Sequence, residues 1–178
     1  MVKSARNRIY NARKFPVYEC LINTSWKEGG LASILLSRQQ PDGNIVFGVY
    51  LVDVFCLGLK NTYCNANFTL SRYEQDVKAS ISRNEPLIDY PVPLTHHIIY
   101  GVIDYAFKLG FKPQKDFKLT RYILEKRTEI GESIPIEFGK DGKPFFIAGP
   151  DDNINLIVRK LERAVGEGNF HFLLPMNE

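Results

Sequence analysis

The sequence has few of the features that mark secreted, membrane-spanning or redox proteins. Its three cysteines are an odd number and form no C-x-x-C spacing, which favours free thiols in a reducing compartment. No apolar run approaches the roughly 20 residues of a membrane helix, and the N-terminus lacks the apolar core of a signal peptide. We therefore expect a soluble, cytoplasmic protein without a membrane partner.

Two of the cysteines lie in apolar patterns. Cys20 and Cys56 are surrounded by hydrophobic residues, where a free thiol packs as a small hydrophobic group. A reactive thiol needs an electropositive and partly open environment instead. We therefore expect both cysteines to be buried and structural.

The standard nucleotide-binding and hydrolase motifs are absent as well. No G-x-G-x-x-G, G-x-x-x-x-G-K-[ST], G-x-S-x-G or H-E-x-x-H occurs in the chain. Residues 139–143 contain glycines and lysines, as phosphate loops do, but the helix expected after them begins with Asp151 and Asp152, whose charge would repel an anion. The sequence predicts no cofactor and no metal site.

What the sequence does contain is enough apolar material for one core. Hydrophobic residues make up 44% of the 178 positions, which suits a single domain. Residues 1–15 are basic and are interpreted as a tail or a short frayed helix. The remaining residues, 16–178, are expected to form the domain.

The positive charge is concentrated in two segments. The net charge is +3, but residues 1–14 carry +5 and residues 108–127 carry another +5, so the rest of the chain carries −7. Basic segments of this kind often neutralise phosphate groups. RNA, or another polyanion, is therefore the leading candidate for a partner.

Aromatic residues interleave with the charges of the second basic segment. Phe111, Phe117 and Tyr122 could stack on bases if they are exposed. The sequence thus favours a non-enzymatic RNA-binding protein, although a basic surface would also suit an acidic protein partner. The residues assigned to this surface are Arg6, Arg8, Arg13, Lys14, Lys112, Lys115, Lys118 and Arg121.

The longest β-favouring run, residues 45–59, is apolar on both faces of its pleat, which predicts an interior strand covered on both sides. Asp53 interrupts one face. An unpaired buried charge is strongly destabilising, so this carboxylate must be solvated, hydrogen-bonded or displaced by a bulge. Either it accepts N–H groups from the following turn or pairs with Lys60, or it is a catalytic or metal-binding group at a strand end.

The order of the other elements predicts an α+β fold. Strands at 17–24 and 31–38 should form an antiparallel meander with the interior strand. Helices should follow, one beginning at a capping box at Ser71, one capped by Thr95 and ended by Gly110, and one over residues 116–127 that could also be a strand. A β-hairpin of residues 134–138 and 145–148, an amphipathic helix capped by Asp151 or Asp152, and a strand near 170–174 should complete the domain.

His96, His97 and Asp104 are the other candidate catalytic residues. Adjacent histidines on a helix point about 100° apart, so both cannot join Asp104 on one face. His97 and Asp104 share the face opposite the apolar stripe, where a solvated surface with an Asp104–Lys108 ion pair is the simpler interpretation. The enzyme alternative is a hydrolase that uses Asp53 with His96 or His97.

Three stretches resemble a family of uncharacterised bacterial proteins. They are residues 18–23 (YECLIN), residues 47–53 with 55–60 (FGVYLVD and FCLGLK), and residues 138–146 (FGKDGKPFF). The resemblance extends from about residue 17 to residue 153. It implies a bacterial origin and one folded body, and it transfers no catalytic role because no activity is associated with the family.

Overall fold

The structure is a computed structural model that describes residues 4–132 and 134–174. The fold class is α+β, with helices packed against an antiparallel sheet of five strands. Lys3, which belongs to the N-terminal basic segment, lies outside the described residues. Within the described ranges, no helix is both long enough and apolar enough to cross a bilayer.

The five-stranded sheet has the order β4-β3-β2-β1-β5. The predicted meander is confirmed, because β2 pairs antiparallel with both β1 and β3. β3 is an interior strand with almost every residue buried, as its two apolar faces predicted. The strands are β1 (Val17–Asn23), β2 (Leu31–Gln39), β3 (Ile45–Asp53), β4 (Gly58–Phe68) and β5 (Leu87–Asp89).

The apolar run 45–59 is two strands rather than one. β3 ends at Asp53, four residues turn the chain, and Gly58 opens β4, an edge strand that the sequence interpretation missed. Gly58 has a φ of +77°, and a side chain there would place its Cβ 2.6 Å from the Cβ of Ala106. This position therefore requires glycine for both the turn and the close approach of a helix.

That helix, α5, is preceded in the chain by four shorter α-helices, which are α1 (Ala5–Tyr10), α2 (Trp26–Gly29), α3 (Leu70–Arg72) and α4 (Ala79–Ile81). α5 (Val92–Lys108) lays its predicted apolar stripe on one face of the sheet. It begins at Val92 rather than after Thr95, because Pro93 fits a first helical turn. Thr95 is buried inside the helix, and its hydroxyl lies 3.1 Å from the Cys20 sulfur.

The other face of α5 was predicted to be solvated, and that prediction is wrong. Residues 130–132 and 134–138 lie against it, and a Cβ at Gly101 would lie 2.7 Å from the Phe138 ring. His97 is consequently buried. Asp104 remains exposed, but it pairs with Arg127 and not with Lys108.

The opposite face of the sheet is covered by the helical segment that starts at α3. A π-helical stretch (Tyr73–Lys78) joins α3 to α4, and its Tyr73 and Val77 pack against Phe47 and other sheet residues. The N-cap is Thr69, two residues before the predicted capping box, and its hydroxyl accepts from the Arg72 N–H. The sheet is therefore covered on both faces.

The N-terminal basic segment is folded onto the body. α1 and a 3₁₀ turn (Ala12–Lys14) bury Ile9 and Ala12 in the main core. The sequence left two alternatives for this segment, a tail or a short frayed helix. The structure has a short helix, and this helix contributes to the core. Ile9 and Ala12 are three residues apart, a spacing that places both on one face of a helix and indicates that this face is buried.

The C-terminal third differs most from its prediction. Lys140 and Lys143 exchange backbone hydrogen bonds around a tight turn with Asp141 and Gly142 at positive φ, so the predicted turn is confirmed. The flanking segments do not pair as a hairpin, because the Gly139 N–H bonds Val54 instead. Instead, β6 (Phe145–Ile147) pairs in parallel with β7 (His171–Leu173), near the strand predicted at 170–174.

α6 (Phe117–Thr120) is the only α-helical part of the segment predicted to be helical over 116–127, and a 3₁₀ turn (Arg127–Glu129) begins at the last residue of that segment. The last helix, α7 (Ile154–Val165), has the expected amphipathic character, with Ile157 and Leu161 buried. Its N-cap is Asn153, which accepts from the Leu156 N–H, and not Asp151 or Asp152. Asp152 forms an ion pair with Lys60 at 3.0 Å.

Residues 120–125, here called the clasp, are held by side chains rather than by a regular backbone ladder. Five of its six carbonyl groups accept hydrogen bonds from distant side chains: Thr120 from Tyr50, Arg121 and Leu124 from Arg13, Ile123 from Arg38, and Glu125 from Tyr100. These distances are 2.6–2.8 Å. Thr120 is the last residue of α6, and residues 121–125 form neither helix nor strand. Distant side chains satisfy most of the backbone acceptors of these five residues.

Arg38 lies at the base of the clasp and is buried, with 2% of its surface exposed. Its guanidinium donates to the Ile123 carbonyl at 2.8 Å, to the Phe15 carbonyl at 2.9 Å and to the Glu125 carboxylate. One side chain of β2 therefore joins the N-terminal segment to the clasp.

We expect Arg38→Met to lower the free energy of unfolding by about 3 kcal/mol or more, because it leaves two carbonyls without their donor and removes a part-buried ion pair. Urea denaturation measures the change. Arg72→Met is the matched control: Arg72 pairs with Asp76 on the surface, where the loss should be about 1 kcal/mol or less. Equal losses in the two variants would contradict the role of Arg38.

The three thiols are expected to react slowly in the native protein. Cys20 and Cys56 are buried as predicted, and Cys64 is partly exposed. Burial raises the pKa of Cys20 and of Cys64 to about 11 and that of Cys56 further above its usual range, which removes the reactive thiolate. Timed labelling followed by mass spectrometry should show Cys64 modified first and all three modified rapidly in urea; rapid native labelling of Cys56 would contradict its place in the core.

Candidate functional site

An open cleft of about 460 Å³ lies between the N-terminal segment, α5, α6 and the clasp. We call it the cationic cleft. Its walls combine four cationic side chains with three aromatic ones: Arg13, Arg121, Lys126, Arg127, Tyr100, Phe117 and Tyr122.

The two basic segments of the sequence meet in this cleft. Arg13 comes from the first and reaches across to the Arg121 and Leu124 carbonyls of the clasp. The guanidinium carbons of Arg13 and Arg121 lie 5.4 and 5.3 Å from the centre of the Tyr122 ring. Tyr10 packs edge-on against the same ring, with 4.8 Å between the two ring centres. Tyr122 therefore contacts two arginines and one aromatic ring.

The charge of the cleft is only partly balanced. Arg127 pairs with Asp104, and Lys126 pairs with Glu129. Arg13 and Arg121 have no carboxylate within ion-pair distance among the residues that the structure describes. The carbonyl groups bound to Arg13 do not cancel its charge, so the cleft attracts anions.

The structure separates the residues that the sequence assigned to one surface. Only Arg13 and Arg121 line the cleft, and Arg6 borders it through Tyr10, to whose hydroxyl it donates at 2.9 Å. Arg8 is engaged with Asp42 and Gln40. The remaining four are exposed outside the cleft: Lys14, Lys112, Lys115 and Lys118.

Of the three aromatic residues proposed for stacking, two line the cleft. Phe117 and Tyr122 do so, but Phe111 is buried beneath Lys160 and is not available. The sequence interpretation missed Tyr100, Lys126 and Arg127 as site residues. Lys126 and Arg127 belong to the second basic segment, so its positive charge could have indicated them. Nothing in the sequence around Tyr100 on α5 indicated that it lines the cleft.

No protein-family model, curated protein or solved structure matches the chain. The resemblance of residues 18–23, 47–60 and 138–146 to a bacterial family therefore stays a prediction.

Asp53 has the structural role that was one of its two interpretations. Its Oδ1 accepts from the N–H groups of Phe55 and Cys56, at 3.0 and 2.9 Å, and so closes the turn between β3 and β4. Burial raises the pKa of its carboxyl to about 6, and the backbone donors and Lys60 only partly oppose that shift. A cavity of about 190 Å³ beside it is lined mainly by apolar groups and by Lys60.

His96 also has a structural role. Its Nδ1 donates to the Val92 carbonyl at 2.7 Å, and its Nε2 accepts from the Glu125 N–H at 2.8 Å, so both ring nitrogens are engaged. Burial lowers the pKa of His96, which favours this neutral form.

The hydrolase alternative needed Asp53 to meet a histidine, and the structure does not bring them together. His97 lines one cleft and Asp53 lines a separate small cavity, and the two share no lining residue. Across residues 4–132 and 134–174, no cluster of three histidine, cysteine or acidic side chains has the arrangement of a metal site.

Asp53→Asn is expected to change how stability depends on pH. Because the folded pKa of about 6 exceeds the unfolded value of about 4, the group's favourable contribution is complete below about pH 4 and is lost as the pH rises through 6. Relative to the variant, the wild type should lose up to about 3 kcal/mol of unfolding free energy between pH 4 and pH 7.

Urea denaturation across this pH range provides the test. Asp151→Asn, at an exposed aspartate, is the control for changes in overall charge. A wild-type advantage over Asp53→Asn that grows as the pH rises would contradict the burial of a carboxyl that prefers to be protonated.

Proposed function

We propose that the protein binds single-stranded RNA in the cationic cleft. The observation that carries this proposal is the grouping of Tyr122 with the guanidinium groups of Arg13 and Arg121 in one open cleft. A ligand suited to these walls carries both negative charge and flat rings. Single-stranded nucleic acid has both, and proteins bind it with cationic grooves and stacking platforms.

The arrangement suggests how one nucleotide is held. Arg121 is exposed and lies over Tyr122, so a base can stack on the guanidinium plane with the ring behind it. The charge of Arg13 then attracts the adjoining phosphate. A duplex keeps its base faces covered, which favours an unpaired strand as the ligand.

An acidic protein is the competing partner. Carboxylate side chains would use the charges of Arg13 and Arg121 but would gain little from the aromatic walls. Tyr122→Leu keeps every charge and removes the ring, so it distinguishes the two partners.

Binding of a fluorescent single-stranded RNA should be measurable by anisotropy at low salt. Arg121→Gln should weaken it about tenfold and lower the magnitude of the salt slope by about 1, because the variant loses both the stacking plane for the base and one positive charge near the phosphate. Lys112→Gln removes the same charge from the same basic segment outside the cleft and is the matched control. Deletion of residues 1–14 is unsuitable, because α1 contributes to the core.

Three further arms complete this test. Tyr122→Leu should weaken RNA binding about fivefold or more, the usual effect of losing an aromatic stacking platform, and leave any binding of polyglutamate unchanged. A single-stranded DNA of the same sequence shows whether the 2′-hydroxyl contributes. Absence of RNA binding at low salt, or equal losses for Arg121→Gln and Lys112→Gln, would refute the proposal.

A further inference from the structure

A second cleft, of about 390 Å³, adjoins the cationic cleft. Tyr100 and Arg127 line both, so this pair of residues forms the wall between them. We call the second one the His97 cleft. Residues 130–131 and 134–138 form its outer side.

His97 contributes an unusual group to this cleft. The side chain is more than nine-tenths buried, and its Nε2 is the single buried side-chain nitrogen or oxygen that lacks a hydrogen-bond partner among the described residues. A buried polar atom without a partner is destabilising, and such atoms are rare in folded proteins. This nitrogen is closed to solvent in the structure, so a ligand in the cleft would supply the missing hydrogen bond, and remove this cost, once the ring has turned toward the cleft.

The other walls indicate the shape of that ligand. Ile134, Pro135 and Phe138 offer apolar surfaces, while His97, Asp104 and Arg127 offer hydrogen-bonding groups. A flat heteroaromatic ring fits such a site, because its faces are apolar and its edge carries donors and acceptors.

The polar groups are arranged as an acceptor beside a donor. Both Asp104 oxygens accept from one nitrogen of Arg127, Nη1, at 2.8 and 2.7 Å. The second terminal nitrogen, Nη2, makes only a long contact of 3.4 Å to the Tyr100 carbonyl. Asp104 therefore keeps lone pairs, and Arg127 keeps N–H donors, for a ligand.

We infer that the His97 cleft receives a guanine base of the RNA bound in the cationic cleft, an inference that rests on the proposed function. The Watson–Crick edge of guanine has two donors, N1–H and the 2-amino group, beside one acceptor, O6. Asp104 accepts from the two donors, and Arg127 donates to O6. His97, with its ring turned toward the cleft, donates from Nε2–H to N7 or O6.

The same arrangement disfavours the other bases. Adenine presents an acceptor at N1 where guanine has a donor, so its lone pair would face the Asp104 carboxylate. Cytosine has an acceptor at N3. Uracil has a donor at N3, but an acceptor lies on each side of it. Only guanine places two adjacent donors against the carboxylate.

The experiment compares labelled RNAs that differ at one position. A nine-residue oligouridine with a central guanosine, inosine or adenosine is titrated with the full chain and followed by anisotropy. Guanosine should bind about tenfold more tightly than adenosine, a usual ratio for a base-specific bidentate contact. Inosine, which lacks only the 2-amino group, should fall between them.

Asp104→Asn tests the carboxylate. Asp104 is exposed, so the variant should fold, and thermal denaturation verifies this. It should lose the preference for guanosine while its affinity for the adenosine RNA stays equal or rises, because a negative charge has gone. Glu129→Gln also removes a surface carboxylate that pairs with a cation of the cationic cleft, and it should leave the guanosine-to-adenosine ratio unchanged.

The imidazole of His97 gives a separate readout in a ¹⁵N-labelled sample. Its Nε2 resonance should shift when the guanosine RNA is added and stay in place with the adenosine RNA. Equal affinities for all three RNAs, with binding intact, would overturn this inference and leave RNA binding standing. Failure of every RNA to bind would overturn both.

Discussion

The buried guanidinium of Arg38 is the interaction on which the other features depend. A charge removed from water must be matched by acceptors, and here they come from two segments that have no regular structure of their own, at Phe15 and at Ile123 to Glu125. Satisfying Arg38 therefore fixes the N-terminal segment and the clasp together. The cationic cleft lies between the N-terminal segment and the clasp, so its shape depends on the hydrogen bonds of Arg38.

Local patterns were sufficient to predict the sheet and the larger helices. Alternating apolar and polar residues predicted the meander, and apolar residues repeating about every 3.6 positions predicted α5 and α7. Both patterns arise because one face of the strand or helix is buried. The role of Asp53 was also predictable as one of two alternatives, since an aspartate two and three residues before turn N–H groups is a common closing arrangement. Glycine at 110 correctly marked the end of α5.

The clasp and the clefts could not be predicted in the same way. The contacts of Arg13 with the clasp join residues 108 and 111 positions apart, and nothing near either partner indicates the pairing. Net charge indicated a basic surface but not which cations converge, and only two of the eight assigned residues, Arg13 and Arg121, line the cleft. Residues 130–132 and 134–138, which cover His97, form neither helix nor strand, so the sequence carries no periodic signal for them.

The long separation between Arg13 and its carbonyl partners has a consequence for synthesis on the ribosome. Arg13 is made before the groups that orient it, which follow more than a hundred residues later. A nascent chain therefore displays this basic residue well before it has a cleft. The shape of the cleft is complete only when residues up to Arg127 have left the exit tunnel and folded.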